Sequence, residues 1–183
     1  MLNLNKQNIN PTETSSALAV AEYLLSLDAK REYFTLKRMP EKEGWIALPT
    51  EGNFRLNKLL HICQILHYAK YEKLLFADNL VAYEHGGVVQ NISKSFGNEL
   101  FHRKKYPNAS KLTVEKKGFI RKIFAYFREY NNQELWDFSH DDPSWQQAWE
   151  KGRSLAMPQN SHIRSYWKTF YCHIVEEIEE NEK

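Results

Sequence analysis

The chain has 183 residues, of which 42% are hydrophobic and 14% aromatic, and this predicts one domain with a core of its own. Its apolar runs are only a few residues long, which excludes a transmembrane helix, and the first residues lack the pattern of a secretory signal. Two cysteines exclude a disulfide framework and favour a reducing compartment, so we predict a cytoplasmic protein.

The first half of the chain predicts two helices separated by a β-prone stretch. The first helix begins at a hydroxyl residue within 14–16, any of which can cap it, and carries apolar residues on one side. Two β-prone runs, at 33–39 and 45–48, flank a charged turn and predict a hairpin or an extended excursion. The run over 54–71 predicts a central helix with an apolar stripe.

The second half predicts mostly short helices. After a short apolar segment that ends at Tyr83, two glycines precede a helix over 88–98. Thr113 caps the next helix, and a short helix follows at 133–138. Asp142 and Pro143 begin a further helix, which the glycine at 152 stops.

One long helix, from Ile163 to Ile178, closes the chain, because apolar residues recur there at three- and four-residue steps. The fold class is therefore mainly α, with a possible small β-hairpin insertion. We predict a flexible N-terminus over 1–13, a single helical domain over 14–178 with an insertion at about 31–52, and an acidic C-terminal tail over 179–183.

Neither a metal site nor a phosphate loop is favoured by the spacing of the residues that could form one. His61 and His67 lie six residues apart, about 120° around a helix, and no CxxC or HExxH pattern occurs. A core position is the favoured interpretation for His67. Gly86 and Gly87 precede a helix-like run but lack a phosphate-loop spacing, so a bend or a close approach of the backbone is favoured.

Nucleophilic catalysis is also disfavoured. Ser139, His140 and Asp141 are consecutive, and neighbours in sequence normally point apart, so we expect them to serve a helix N-terminus together with Asp142. Cys63 lies on an apolar helix, where a thiolate is disfavoured.

Charge gives a stronger signal. The segment 102–128 holds nine lysines and arginines against one glutamate. Such a basic run can follow nucleic acid, can meet an acidic protein surface, or can simply form a solvated helix face.

Three stretches, in this order and spacing, resemble the Panacea-domain family: "LNKLLHICQILHYAK", "LFADNLVAYEHGGVV" and "ELWDFSHDDPSWQQAWEKG". The family comprises SocA-like antitoxins of type II toxin–antitoxin systems and phage- or mobile-element-associated proteins. The matching positions are Lys58, Leu59, Leu60, Gln64, Ala82, Tyr83, Gly86, Val88, Leu135, Ser139, His140, Pro143 and Trp145. Gly87 stands where the family usually has proline, and the stretch 31–52 is longer than the usual link. The resemblance extends over about 17–171.

The resemblance implies a helical antitoxin that binds a cognate toxin directly, without catalytic residues, metal or cofactor. It makes the matching residues structural: His85, Gly86 and Gly87 form a bend, His140 a cap and Trp145 an aromatic anchor. We expect the partner to bind the insertion or the basic segment, through Tyr33, Trp45, Arg103, Lys104, Lys105, Lys117, Arg121 and Lys122. Tyr33 and Trp45 could equally cover the domain's own core. The alternative function is a nucleic-acid-binding or regulatory protein of a phage or mobile element, and the oligomeric state stays open.

Overall fold

The computed structural model describes residues 14–34, 53–95, 102–151 and 154–181. It is mainly α-helical, which confirms the predicted fold class. In chain order the elements are α1 (Ala17–Leu27), α2 (Asn53–Tyr71), β1 (Val81–Tyr83), β2 (Gly86–Val88), α3 (Gln90–Ser95), a 3-10 helix (Pro107–Lys111), α4 (Val114–Phe127), α5 (Asn132–His140), α6 (Pro143–Lys151), α7 (Ser161–Phe170) and α8 (Cys172–Glu180).

Helix α2 is the centre of the fold. It contacts α1, α3, α4, α5, α7, α8 and β2, and every residue from Asn53 to His67 is buried. The predicted single apolar stripe is therefore too narrow a description, because neighbours pack on all sides of the helix. Its buried polar side chains are Asn53, Arg55, Asn57, Lys58, His61, Gln64 and His67.

Local capping interactions set the starts of several helices, as the sequence predicts. The hydroxyl of Ser16 accepts a hydrogen bond from the amide of Ala19 at 3.2 Å, and α1 begins there. Thr113 accepts from the amide of Lys116 at 3.2 Å and starts α4. These bonds satisfy amides that have no partner inside the helix.

The two strands form an antiparallel hairpin in which Tyr83 pairs with Gly86 across a turn at 84–85. On its other side β1 meets the segment 154–157. There the amide of Ala82 donates to the carbonyl of Leu155 at 2.8 Å, and that of Met157 donates to Leu80 at 2.8 Å. Strand β1 is thus paired on both sides, which holds the hairpin against the helices.

Two predicted elements need correction, and a third lies outside the described residues. The helix predicted over 88–98 begins only at Gln90, because residues 86–88 belong to β2. The predicted last helix is two helices that meet at Tyr171, so that α7 packs on α2 while α8 packs on α2 and α4. The predicted hairpin at 33–48 lies outside the described residues, apart from the end of a turn at 32–34 in which Tyr33 and Phe34 are buried. No helix within the described ranges is long and apolar enough to cross a membrane.

Candidate functional site

The three sequence motifs meet around one fully buried lysine. Lys58 is 1% exposed, and its ammonium group donates a hydrogen bond to the hydroxyl of Ser139, 81 residues later in the chain. Gly86 of the hairpin lies directly against both side chains. The motifs on α2, on the hairpin and on α5 therefore form one cluster in the core.

Burial governs the charge state of this lysine. Removal from water lowers the pKa of Lys58 well below its ordinary value, and the more distant carboxylate of Asp137 only partly opposes this. Within the described residues no carboxylate lies at ion-pair distance from its nitrogen. A buried lysine without a direct counterion disfavours its own protonated form, so Lys58 is an uncommon core residue.

His140 lies next to this lysine and links α5 to the hairpin. Its Nε2 is 3.0 Å from the carbonyl oxygen of Glu84, and its Nδ1 is 3.1 Å from the hydroxyl of Ser139. The imidazole is stacked on Trp136 with the ring centres 3.6 Å apart, and it meets the edge of Trp145. The ring thus lies between two indoles and bridges two motifs.

The protonation of His140 follows from its surroundings. Burial, and then the charge of Lys58, lower the pKa of His140 to about 3, although carbonyls beside both ring nitrogens raise it. A neutral imidazole has one N–H group to donate. Nε2 faces the carbonyl of Glu84 and Nδ1 lies 2.7 Å from the carbonyl oxygen of Trp136, so the one N–H group donates to one of these two carbonyls. The Ser139 hydroxyl itself donates to the Trp136 carbonyl at 2.9 Å.

Two sequence expectations about this motif are wrong. Ser139 and His140 do not point apart, since their side chains are in contact, whereas Asp141 is exposed and takes no part. His140 also does not cap a helix, because it ends α5. The cap of α6 is Asp142, whose Oδ1 accepts from the amide of Ser144 at 3.1 Å, and Pro143 occupies the first turn as predicted.

Asp142 also forms a second buried polar pair, with His61. Its Oδ2 is 2.8 Å from Nε2 of His61, and its Oδ1 accepts from the indole N–H of Trp167 at 2.8 Å. Both members of the His61–Asp142 pair have fully buried side chains. One carboxylate therefore joins α2, α6 and α7.

The remaining matching residues support the hairpin and the loop before it. The indole of Trp145 donates to the carbonyl of Tyr83 at 2.9 Å and so connects α6 to the hairpin. The amide of Gln64 accepts from the backbone N–H groups of Leu75 and Phe76 and donates to the Phe76 carbonyl. Leu59 is fully buried, and Val88 is half-buried in β2.

The two glycines are explained by close approach. Gly86 has φ +102°, which favours glycine, and a Cβ there would meet the Lys58 nitrogen and lie 2.8 Å from the Ser139 hydroxyl oxygen. A Cβ on Gly87 would lie 2.8 Å from the sulfur of Met157 and 3.0 Å from Nδ1 of His61. The 85–87 segment is thus the turn and second strand of a hairpin that packs directly on α2.

The candidate partner-binding residues fall into four groups. Tyr33 is 8% exposed, with its ring 5.3 Å from that of Phe124 and the Arg55 guanidinium 4.4 Å above it, so among the described residues it packs in the core, which is one of the two alternatives that the sequence left open. Trp45 lies outside the described residues. Arg103 forms an ion pair with the buried carboxylate of Glu22 at 2.6 Å and is a structural residue.

The other basic candidates lie at the surface and are fully or partly exposed. Lys104 and Lys105 are exposed before α4, and Arg121 is exposed on it, while Lys117 and Lys122 are half-buried there. This basic α4 face, defined as residues 104, 105, 117, 121 and 122, is the part of the predicted surface that the described residues retain.

The metal and thiol alternatives gain no support. No group of three metal-ligating side chains comes together among the described residues. His67 is a core residue, as expected, and burial followed by nearby lysines lowers its pKa to about 4. Burial raises the pKa of the Cys63 thiol, which keeps it protonated.

Sequence reasoning did not identify Glu22, His61 and Asp142 as partners in buried pairs. The available signal was a charged or polar residue within an otherwise apolar helix face, as in the run "ALAVAEYLL" of α1. The partners of Glu22 and His61 each lie 81 residues further along the chain, so the residue type alone could not name them.

Comparison with protein-family models identifies the family to which these motifs belong. The family model of the antitoxin SocA-like Panacea domain matches residues 56–146. This part of the chain belongs to the Panacea-domain family. The matched residues run from the start of the first motif on α2 into the third motif on α6, so the buried cluster around Lys58 lies entirely within the Panacea domain. Neither the curated proteins nor the solved structures that were compared with the chain include a match.

Proposed function

We propose that this chain is an antitoxin that neutralises a cognate toxin protein by direct binding, without turnover, in the cytoplasm. The observation that carries the proposal is the match of residues 56–146 to the antitoxin SocA-like Panacea domain. In this proposal the buried cluster keeps the fold in one shape, and the partner meets the surface.

The chemistry of the cluster supports a structural role for it. Lys58 and Ser139 form a contact that resembles a base beside a nucleophile, but both are buried and packed against Gly86. A substrate would have to displace core side chains to reach the hydroxyl. The cluster is therefore suited to holding the three motifs together.

The basic α4 face supports recognition of an acidic protein. Lys104, Lys105 and Arg121 are exposed, and exposed charges of one sign raise the rate of encounter with a surface of opposite charge. Toxins whose active or binding surface is acidic are the partners that this charge favours.

Co-expression tests the proposal. The product of the neighbouring open reading frame is induced alone or together with this chain, and growth is measured. The proposal predicts that the neighbour arrests growth alone and that this chain restores growth. A neighbour that stays toxic in the presence of soluble, folded protein contradicts it.

The same exposed lysines and arginine favour one second candidate, a nucleic-acid-binding or regulatory protein of a phage or mobile element. Counterion release would make that binding fall steeply with salt. Retention of nucleic acid during purification at low salt, and its loss at high salt, would support this candidate.

A further inference from the structure

A shallow groove lies between α4 and α8, beside the basic α4 face. Its volume is about 290 Å³, and its floor is formed largely by apolar groups. The residues that line it are Lys122, Ala125, Tyr126, Glu129, Ile178 and Asn181. Ala125 is exposed, whereas Ile178 lies at the bottom.

Charges of opposite sign flank the groove on its two helices. On α4, Lys122 lines the groove and the exposed Arg121 precedes it, whereas on α8 the exposed Glu177 and Glu180 lie next in sequence to the lining residues Ile178 and Asn181. Glu129, which lines the groove after α4, is an exception. Burial, and then the neighbouring Tyr130 and Glu177, raise the pKa of the Tyr126 hydroxyl, which lies between the two helices. Helices α4 and α8 pack on each other, so the two sets of charges lie on neighbouring elements.

Gly118 extends the open surface by one turn of α4. It lies four residues before Lys122 and seven before Ala125, and therefore on the same side of the helix. Apart from its chain neighbours and the nearby backbone of α4 itself, no described atom lies within 4 Å of the position that a Cβ would occupy there. A glycine inside a helix costs about 1 kcal/mol relative to alanine, and packing within the described chain does not require this one. It leaves room for another backbone to approach.

We propose that this groove binds an amphipathic helix of the toxin. The apolar stripe of that helix lies over Ala125 and Ile178, its acidic edge faces α4, and its basic edge faces α8. Helices that bind in grooves use an apolar stripe of this kind, and complementary charge fixes their direction. This inference rests on the proposed function and adds the site and the chemistry of the partner.

A second copy of this chain is one alternative occupant. Its own flanking charges would be complementary in a two-fold arrangement. However, such a dimer would place one groove opposite the other, and a concave surface is filled by a convex one. The observations therefore favour a partner helix.

The test uses full-length chain and the product of the neighbouring open reading frame. Ala125→Arg fills the groove from an exposed position, and Ser165→Arg places the same side chain on exposed α7 as a matched control. A third variant, Arg121→Glu, reverses one of the flanking charges. Thermal melts establish that each variant is folded before growth rescue and the dissociation constant of the complex are measured.

We expect Ala125→Arg and Arg121→Glu to weaken the complex by about tenfold or more and to reduce rescue, while Ser165→Arg behaves as wild type. If wild type and Ala125→Arg bind and rescue equally, the groove is not the site, although the antitoxin function stands. If wild type itself fails to rescue, the proposed function fails and the groove proposal with it. A wild-type dimer that Ala125→Arg converts to monomer without loss of toxin binding assigns the groove to a second copy and also overturns the proposal.

Discussion

The carboxylate of Glu22 in α1 is fully buried and accepts a hydrogen bond from the guanidinium of Arg103 at 2.6 Å. The same carboxylate accepts from the amide and side chain of Asn108 and from the amide of Ala109. One acidic residue thus fixes the whole turn that leads into the 3-10 helix. This pairing separates Arg103 from its neighbours Lys104 and Lys105, which sequence alone treats as equivalent.

Replacement of Arg103 should therefore affect folding, and replacement of Lys105 should affect binding. We expect Arg103→Ala to lower the free energy of unfolding by on the order of 2 kcal/mol, because Glu22 keeps its backbone donors but loses its counterion. Lys105→Ala, at an exposed position, should change it by less than about 0.5 kcal/mol. Urea denaturation of both variants checks this. Equal effects of the two substitutions would remove the distinction.

Gly86 and Gly118 offer a matched pair of alanine substitutions. We expect Gly86→Ala to destabilise the fold by about 2–4 kcal/mol, because φ +102° is strained for alanine and the methyl group meets Lys58 and Ser139. Gly118→Ala, in a helix with open space around it, should stabilise the free protein by about 1 kcal/mol. Chemical denaturation measures both. A harmless Gly86→Ala would show that the hairpin does not pack on Lys58 as described.

Lys58 should make the free energy of unfolding increase as pH rises towards the alkaline range. Its folded-state pKa is lowered, so between that value and the ordinary 10.5 the unfolded chain holds more protons than the folded one. The stability of wild type relative to Lys58→Met should therefore rise with pH, by up to about 1.4 kcal/mol per pH unit. Denaturation of both proteins at several alkaline pH values gives this difference. A difference that stays constant with pH would mean that Lys58 titrates normally and is not buried.

His140 should make the stability of the fold depend on pH in the acid range. Because its pKa is lowered to about 3, its contribution to stability is present above the ordinary pKa of 6.5 and is lost as pH falls towards 3. At neutral pH His140→Gln should cost about 1–3 kcal/mol, since glutamine cannot keep both the stacking and the two contacts. Melting temperatures as a function of pH should show this cost shrinking on acidification. A cost that grows on acidification would contradict a neutral buried imidazole.

The features that sequence could predict are the local ones. Ser16, Thr113 and Asp142 cap helices through bonds to residues two or three positions away, and these were visible in the residue types and spacing. The break at Tyr171 was not, because the apolar repeat continues through it. The chain changes direction between α7 and α8 because the two helices pack against different neighbours.

In the buried cluster, too, the sequence predicts the residues but not the contacts between them. The matching residues were identified from their spacing, but the cluster they form depends on contacts across 81 residues, as between Lys58 and Ser139. A polar residue on a core helix signals a buried partner without naming it. For the same reason the aromatic Tyr33 could be assigned equally to an interface or to the core until its neighbours were seen.

Purification of the complex shows whether this chain binds the toxin itself. This chain carries a tag and is co-expressed with the product of the neighbouring open reading frame, and the pull-down is washed at about 0.1 M and about 0.5 M salt. We expect the neighbouring gene product to remain bound at both salt concentrations in a fixed ratio, because an apolar groove contributes binding that salt does not screen. Loss of the neighbour at both concentrations, with nucleic acid retained only at low salt, would contradict it and assign the basic α4 face to nucleic acid.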